Sequence, residues 1–319
     1  MIRIALLLAF AIALPLALKA WDQLFYLSFA SRILILALAA SSLNLVLGYG
    51  GMVSFGHAAF VGGGAYVASI ALAEGVASAW IGWPLAALAA GAAALAIGAV
   101  SLRTRGVYFI MITLAFAQML FYLVNSMKAY GGDEGLTLPA RAELGLGLDL
   151  ADEVTFYYAA LLILSLAMFS LHRLVHSRFG RALVAIRENE ARAEALGFPT
   201  YALRLAAFAL AGAAGGLAGA LLASHGKYVN PNVLHWTQSG TLMVMVILGG
   251  VGRFWGGVIG AVALLALEHV IAEVRIDWLA ALAPNYQQHA SLGVGLVLLA
   301  IVLFAPQGIA GLFAGKTRA

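Results

Sequence analysis

The chain carries seven histidines, fourteen acidic residues and no cysteine. Without thiols it can build no disulfide, no thiolate metal site and no cysteine nucleophile. His172 and His176 are spaced to share one face of a helix. Zinc needs at least a third ligand, and no carboxylate lies within that turn, so the pair reads as a solvated group at a basic helix end. The run Gly311-Leu312-Phe313-Ala314-Gly315-Lys316-Thr317 looks like a phosphate-binding loop. It holds three residues between its glycines where the motif needs four, and the motif also needs a strand before it and a helix after it. The sequence therefore assigns no catalytic residue, metal, cofactor or nucleotide site.

What remains is polar chemistry inside apolar runs. Ionisable groups at membrane depth are costly and mark function by default. His57 and Glu268 are of that kind, and Asn44, Ser54 and Gln118 are neutral polar companions. These five are the candidates for lining a translocation path. Four of them have a plainer alternative: a hydrogen bond to a freed carbonyl for His57, an interfacial position for Glu268, an interhelical tie for the amides Asn44 and Gln118.

The elements that must position them follow from composition. Hydrophobic residues make up 63% of the chain and charged ones 10%, with a mean hydropathy of +0.97. A soluble domain carries about 25% charged residues, so this chain cannot cover a water-facing surface. A spanning helix needs about 20 mostly apolar residues. On that basis the sequence predicts an all-α polytopic membrane protein of about ten spans. Their approximate cores are 4–18, 27–47, 55–73, 81–102, 107–124, 156–174, 205–223, 241–250, 256–272 and 292–304. The first is read as a retained helix rather than a signal peptide, because 18–20 is a poor cleavage site. The eighth is short and could be broken or re-entrant. With the N-terminus in the cytoplasm, twelve of the eighteen Lys and Arg residues fall inside, among them Arg103, Arg105, Arg181, Arg187, Arg204 and Arg253. The positive-inside rule then places both termini in the cytoplasm. No linker or separate soluble domain interrupts residues 1–319, which read as one transmembrane domain.

Two glycine clusters stand out. One holds Gly48, Gly50 and Gly51 and leads to Ser54 and His57; the other holds Gly249 and Gly250. Each joins two apolar runs, and their likeness hints at an internal repeat. Paired Gly-interrupted segments point to a transport path. A cytoplasmic loop at about 175–203 is rich in helix formers from Arg181 to Leu196. Gly197 suits a C-terminal cap and Pro199 bars continuation. Leu183, Ile186, Ala193 and Leu196 form an apolar stripe, and Glu188 and Arg192 form a favourable i, i+4 pair. The reading is one amphipathic helix outside the membrane, fit to dock a cytoplasmic partner.

Four segments together resemble the permeases of the branched-chain amino acid ABC importers: Leu43–Phe60, Arg103–Phe109, Ser177–Gly197, and Trp236–Gly240 with Val244–Gly250. The resemblance implies a large-bundle importer permease of the vitamin B12 or ribose type. It implies a sister permease, two cytoplasmic ATPase subunits and a periplasmic substrate-binding protein, with the chain in a bacterial inner membrane. The Ser177–Gly197 loop would be the coupling helix, with Arg181, Ile186, Glu188, Glu190, Ala191, Glu194 and Gly197 as its contact residues. It departs from the commonest loop pattern, since Leu196 stands where glycine is expected. The outer segments 125–153 and 225–238, with Gly131-Gly132-Asp133-Glu134-Gly135, would face the binding protein. Branched-chain amino acids are the implied cargo; urea, amides and other amino acids stay open, as does an ion-gradient-driven secondary transporter.

Overall fold

A computed structural model of the chain describes residues 11–16, 18–19, 24–145, 149–273, 290–305 and 307–313. Among the described residues, 11–16 and 18–19 are helical, and the helices with described bounds begin with α1 (Leu24–Asn44), continued by a π-turn at Leu45–Tyr49, then α2 (His57–Ala73), α3 (Ala79–Ser101) and α4 (Val107–Ser126). They continue as α5 (Glu153–His176), α6 (Arg178–Glu188), α7 (Glu190–Ala195), α8 (Thr200–Gly226), α9 (Trp236–Gly249), α10 (Gly256–Glu273), α11 (Ala290–Phe304) and α12 (Ile309–Phe313). Two short strands, β1 (Leu136–Thr137) and β2 (Tyr228–Val229), pair antiparallel.

Among the described residues, five helices are long and apolar enough to cross a membrane: Phe25–Tyr49, Ala79–Ser101, Val107–Ser126, Glu153–His176 and Thr200–Gly226. Shorter apolar helices lie at His57–Ala73, Trp236–Gly249, Gly256–Ile271 and Leu292–Ile301. The expected core at 241–250 is an unbroken helix that starts earlier, at Trp236. The segment 4–10 of the first expected span, and the end of the supposed phosphate loop, lie outside the described residues.

Helix α8 is the spine, packed along α2 and α3, while α1 lies against α5, α8, α9 and α10. Small residues let these backbones touch, which replaces the hydrophobic drive that lipid does not supply. A Cβ on Gly219 of α8 would overlap the Val61 carbonyl of α2, and one on Gly64 of α2 would overlap the backbone of Gly216. Aromatic side chains pack between α2, α4 and α8: Phe208 meets Phe60 and Phe109 edge-on, at 5.3 and 6.0 Å between ring centres.

The bundle has two chemically distinct ends. At one end the β1–β2 ladder joins the segment after α4 to the segment after α8, and Leu138 N donates to Lys227 O at 2.9 Å. Gly131 and Gly135, at positive φ, make the turns that bring the chain to β1. Below the ladder, Arg141 is buried; it pairs with Glu153 and donates to Leu150 O at 2.8 Å. Its guanidinium also lies 4.7 Å from the centre of the Phe156 ring. The two segments expected to face a binding protein, 125–153 and 225–238, are thus joined to each other. At the other end sit Arg105, Arg187, Arg204 and Arg253, bonded to residues of α7, the α1 turn and the 307–310 segment. These basic residues, which the charge bias assigned to one side, do share one end.

Gly63 and its neighbour Gly64 offer a matched test. Nothing lies within 4 Å of a Cβ at Gly63. Both substitutions gain the same helix propensity, about 0.5–1 kcal/mol for Gly to Ala. We expect Gly63→Ala to leave Tm in detergent unchanged or raised. Gly64→Ala should lower it through an overpacking cost of about 1–3 kcal/mol. Equal Tm for the two would contradict the close approach of α2 and α8.

Candidate functional site

The arginine-bearing end is built where two glycine clusters meet. Helix α1 does not end cleanly: Gly50 N donates to Leu45 O at 3.1 Å and Met52 N to Val46 O at 3.0 Å, a widened π-type turn. Gly51 then adopts φ +65°, and the chain turns through Ser54 into α2. Helix α9 ends at Gly250, φ +119°, and Gly252, φ +72°, before α10 begins. The two turns lie backbone on backbone, since a Cβ on Gly48 would strike Gly252.

Asn44 fastens them. Its Nδ2 donates to Arg253 O at 2.8 Å, and its Oδ1 accepts from Gly252 N at 3.0 Å. Only 2% of Asn44 is exposed, so its amide is occupied as a tie between turns. Arg253 continues the junction: Nη1 donates to Ala310 O at 3.1 Å and Nη2 to Gln307 Oε1 at 3.0 Å. Arg187 of α6 completes it by donating from Nη1 to Gly48 O. Nothing in the sequence around Arg187 sets it apart from the other arginines of the loop.

The other path candidates have separate surroundings. His57 is fully buried at the start of α2, with Nε2 at 2.7 Å from Ser42 Oγ of α1. Its partner is therefore a hydroxyl and not the freed carbonyl the sequence suggested. A Cβ on Gly215 of α8 would sit 3.2 Å from the same nitrogen, so His57 lies where α1, α2 and α8 converge. Ser54 is buried and accepts from Gly56 N at 3.2 Å. Ser239 Oγ accepts from Ala58 N at 2.8 Å, which joins α9 to the start of α2. Gln118 is half-buried on α4, with its buried Oε1 unpartnered among the described residues. Glu268 is exposed on α10. No hydrogen bond or ion pair among the described residues joins Gln118 or Glu268 to Asn44, Ser54 or His57.

The expected single helix from Arg181 to Leu196 is two. Asn189, extended at φ −157°, ends α6 and caps α7, accepting from Arg192 N at 2.9 Å. An asparagine side chain is well suited to that N-cap role. The break separates Glu188 from Arg192, and they form no ion pair. The apolar stripe is also assigned differently. Leu183, Ile186 and Ala193 are buried against the chain's own helices, and only Leu196 faces out, 71% exposed. Gly197 does cap α7: it has φ +84°, and Phe198 N donates back to Ala193 O at 3.1 Å.

Glu190 anchors α7. It bonds Arg204 of α8 at 2.7 Å and lies 3.5 Å from Arg105, while Glu194 accepts from Thr200 Oγ1 at 3.0 Å. Arg181, Glu188, Ala191, Glu194, Leu196, Gly197 and Phe198 remain exposed. The segment thus presents two large apolar side chains, Leu196 and Phe198, among charged ones on its exposed surface.

The family described as branched-chain amino acid transport system / permease component matches residues 25–306. The high-affinity branched-chain amino acid transport system permease protein LivM of Escherichia coli is 27% identical over 303 residues, covering 88% of this chain and 68% of that protein. A probable branched-chain amino acid transport permease protein LivM of Methanocaldococcus jannaschii is 31% identical over 169 residues, 48% of this chain and 46% of its own. The autoinducer 2 import system permease protein LsrC of Escherichia coli is 33% identical over 156 residues, 45% of this chain and 41% of its own. No solved structure matches the chain.

Removing the amide of Asn44 leaves a part-buried N–H and a part-buried carbonyl without this partner, at up to about 1–3 kcal/mol for each group. Asn44→Ala should therefore lower Tm clearly. Gln118→Ala, which removes no hydrogen bond among the described residues, should stay within about 0.5 kcal/mol. Thermal unfolding in detergent checks both, and equal losses would contradict the tie.

Proposed function

We propose, from the premise that the chain belongs to the branched-chain amino acid transport permease family, that it is one half of the channel of an ATP-driven importer. The cargo is a branched-chain amino acid and the membrane is a bacterial inner membrane. The chain forms one domain of about ten spans with both termini in the cytoplasm. It catalyses no covalent reaction itself. A sister permease completes the channel, two ATPase subunits sit on the arginine-bearing end, and a substrate-binding protein delivers cargo to the β1–β2 end.

The observation that carries this reading is the water-facing surface of α6 and α7. Apolar residues on an otherwise charged exposed segment mark a partner contact. Leu196 and Phe198 stand 71% and 40% exposed on either side of the Gly197 turn. The rest of the segment is held by Glu190 and by the buried Leu183 and Ile186. A docked ATPase would therefore push on a firmly anchored element. Movement of that element would rock the spans and open one side of the channel at a time.

The test is reconstitution of the four kinds of subunit in vesicles. Leucine uptake should require ATP and the binding protein. Uptake by this chain alone under an ion gradient would contradict the proposal. Uptake of urea or an amide in place of leucine would correct the cargo. Leu196→Asp, at an exposed position, should leave the permease folded yet weaken ATPase association about ten-fold, the loss expected for a central apolar contact.

A further inference from the structure

Arg187 is the one arginine of the α6–α7 segment whose side chain reaches the glycine turns. Its stem crosses Gly51: a Cβ there would lie 2.6 Å from Arg187 Cγ. Its tip bonds Gly48 O, and a Cβ on Gly252 would lie 3.1 Å from the same Nη1. Gly51 and Gly252 both have positive φ, which side-chain-bearing residues rarely adopt, so the space that Arg187 occupies exists only because they are glycines. Gly48 O belongs to the carbonyl end of α1, which carries negative partial charge. A guanidinium there makes a charge-assisted bond, the stronger class of hydrogen bond. Asn44 then joins the same turn to Gly252 and Arg253.

The geometry points to Arg187 as the positioning residue that transmits movement of the docked segment to the inner ends of α1, α9 and α10; this inference rests on the proposed function above. Other links from the segment go elsewhere. Glu190 and Glu194 hold the base of α8, Arg105 and Thr200. Leu183 and Ile186 make apolar contacts that can slide. Arg187 alone in the segment makes a directed bond to the α1 turn, and through Asn44 that turn is fixed to the α9–α10 turn. A pull on α6 would thus reach both Gly-interrupted segments together.

Four variants of the full reconstituted importer test this: Arg187→Gln, Arg187→Lys, Arg173→Gln as an exposed arginine of α5 outside the docking segment, and Val251→Cys. In Arg187→Gln the ratio of leucine transported to ATP hydrolysed should fall about ten-fold, within the range spanned by coupling between sites. Arg187→Lys, which keeps a cation, should recover part of the ratio, and Arg173→Gln should match the parent. The chain has no cysteine of its own, so a thiol at exposed Val251, between the two turn glycines, is labelled alone. Its labelling rate should depend on nucleotide when Arg187 is present, and should lose that dependence once Val251→Cys is combined with Arg187→Gln. A parental ratio and nucleotide-dependent labelling in Arg187→Gln would overturn the inference. If Arg187→Gln does not assemble, Arg187→Lys decides: a lowered ratio supports the inference, and a parental one overturns it. A parent importer that shows no ATP-dependent uptake would instead overturn the proposed function.

Discussion

Two turns in contact through bare backbone set the rest of this structure. A Cβ on Gly48 would overlap the Gly252 backbone, and one on Gly252, at φ +72°, would be strained and crowd Arg187 Nη1 at 3.1 Å. Inside a bilayer, irregular backbone survives only where protein or a cavity satisfies it. Here the satisfaction is internal: Asn44 takes the Gly252 N–H and the Arg253 carbonyl, Arg187 takes the Gly48 carbonyl, and Arg253 itself reaches Ala310 and Gln307. Helix-breaking glycines therefore become a joint with fixed partners. It unites the ends of α1 and α9, the starts of α2 and α10, and the segment after α11.

The same physics organises the two ends of the bundle differently. The arginine end is assembled from turns and side-chain-to-backbone bonds, with α6 and α7 laid across it. The opposite end is closed by a two-residue ladder and a buried Arg141–Glu153 pair. A permease that works by alternating access needs one end to respond to a nucleotide-driven partner and the other to meet a delivering protein. An anchored docking segment above a jointed core suits the first task, and a compact cap suits the second.

The general architecture was legible in the sequence because composition constrains it so strongly. Long charge-free runs leave little choice but helices, and the Gly clusters at 48–51 and 249–252 announced the turns. Gly197 was readable as a cap because a helix followed by Gly and then Pro has few other outcomes. Arg187 was not readable. It is one arginine among several on α6, and its importance depends on Gly51 and Gly252 being brought beneath it from distant parts of the chain. The apolar stripe was read on the wrong surface for a related reason. Periodicity marks Leu183 and Ile186 as a face but does not say whether a partner or the chain's own helices cover it. The break at Asn189 carried a signal, a strong N-cap residue before a Glu, that the surrounding helix formers obscured. The β1–β2 pairing left none, since two-residue strands are too short to show alternation.

The central claim is that α6 and the paired turns move as one body. Spin labels on cysteines placed at Glu188, beside Arg187 on α6, and at Val251, between the turn glycines, measure this directly in an otherwise cysteine-free chain. Pulsed electron paramagnetic resonance on the assembled importer gives their separation with and without ATP. The account predicts the same distance in both states while the importer as a whole changes conformation. A nucleotide-dependent change on the scale of a one-turn helix ratchet, about 5 Å, would contradict it.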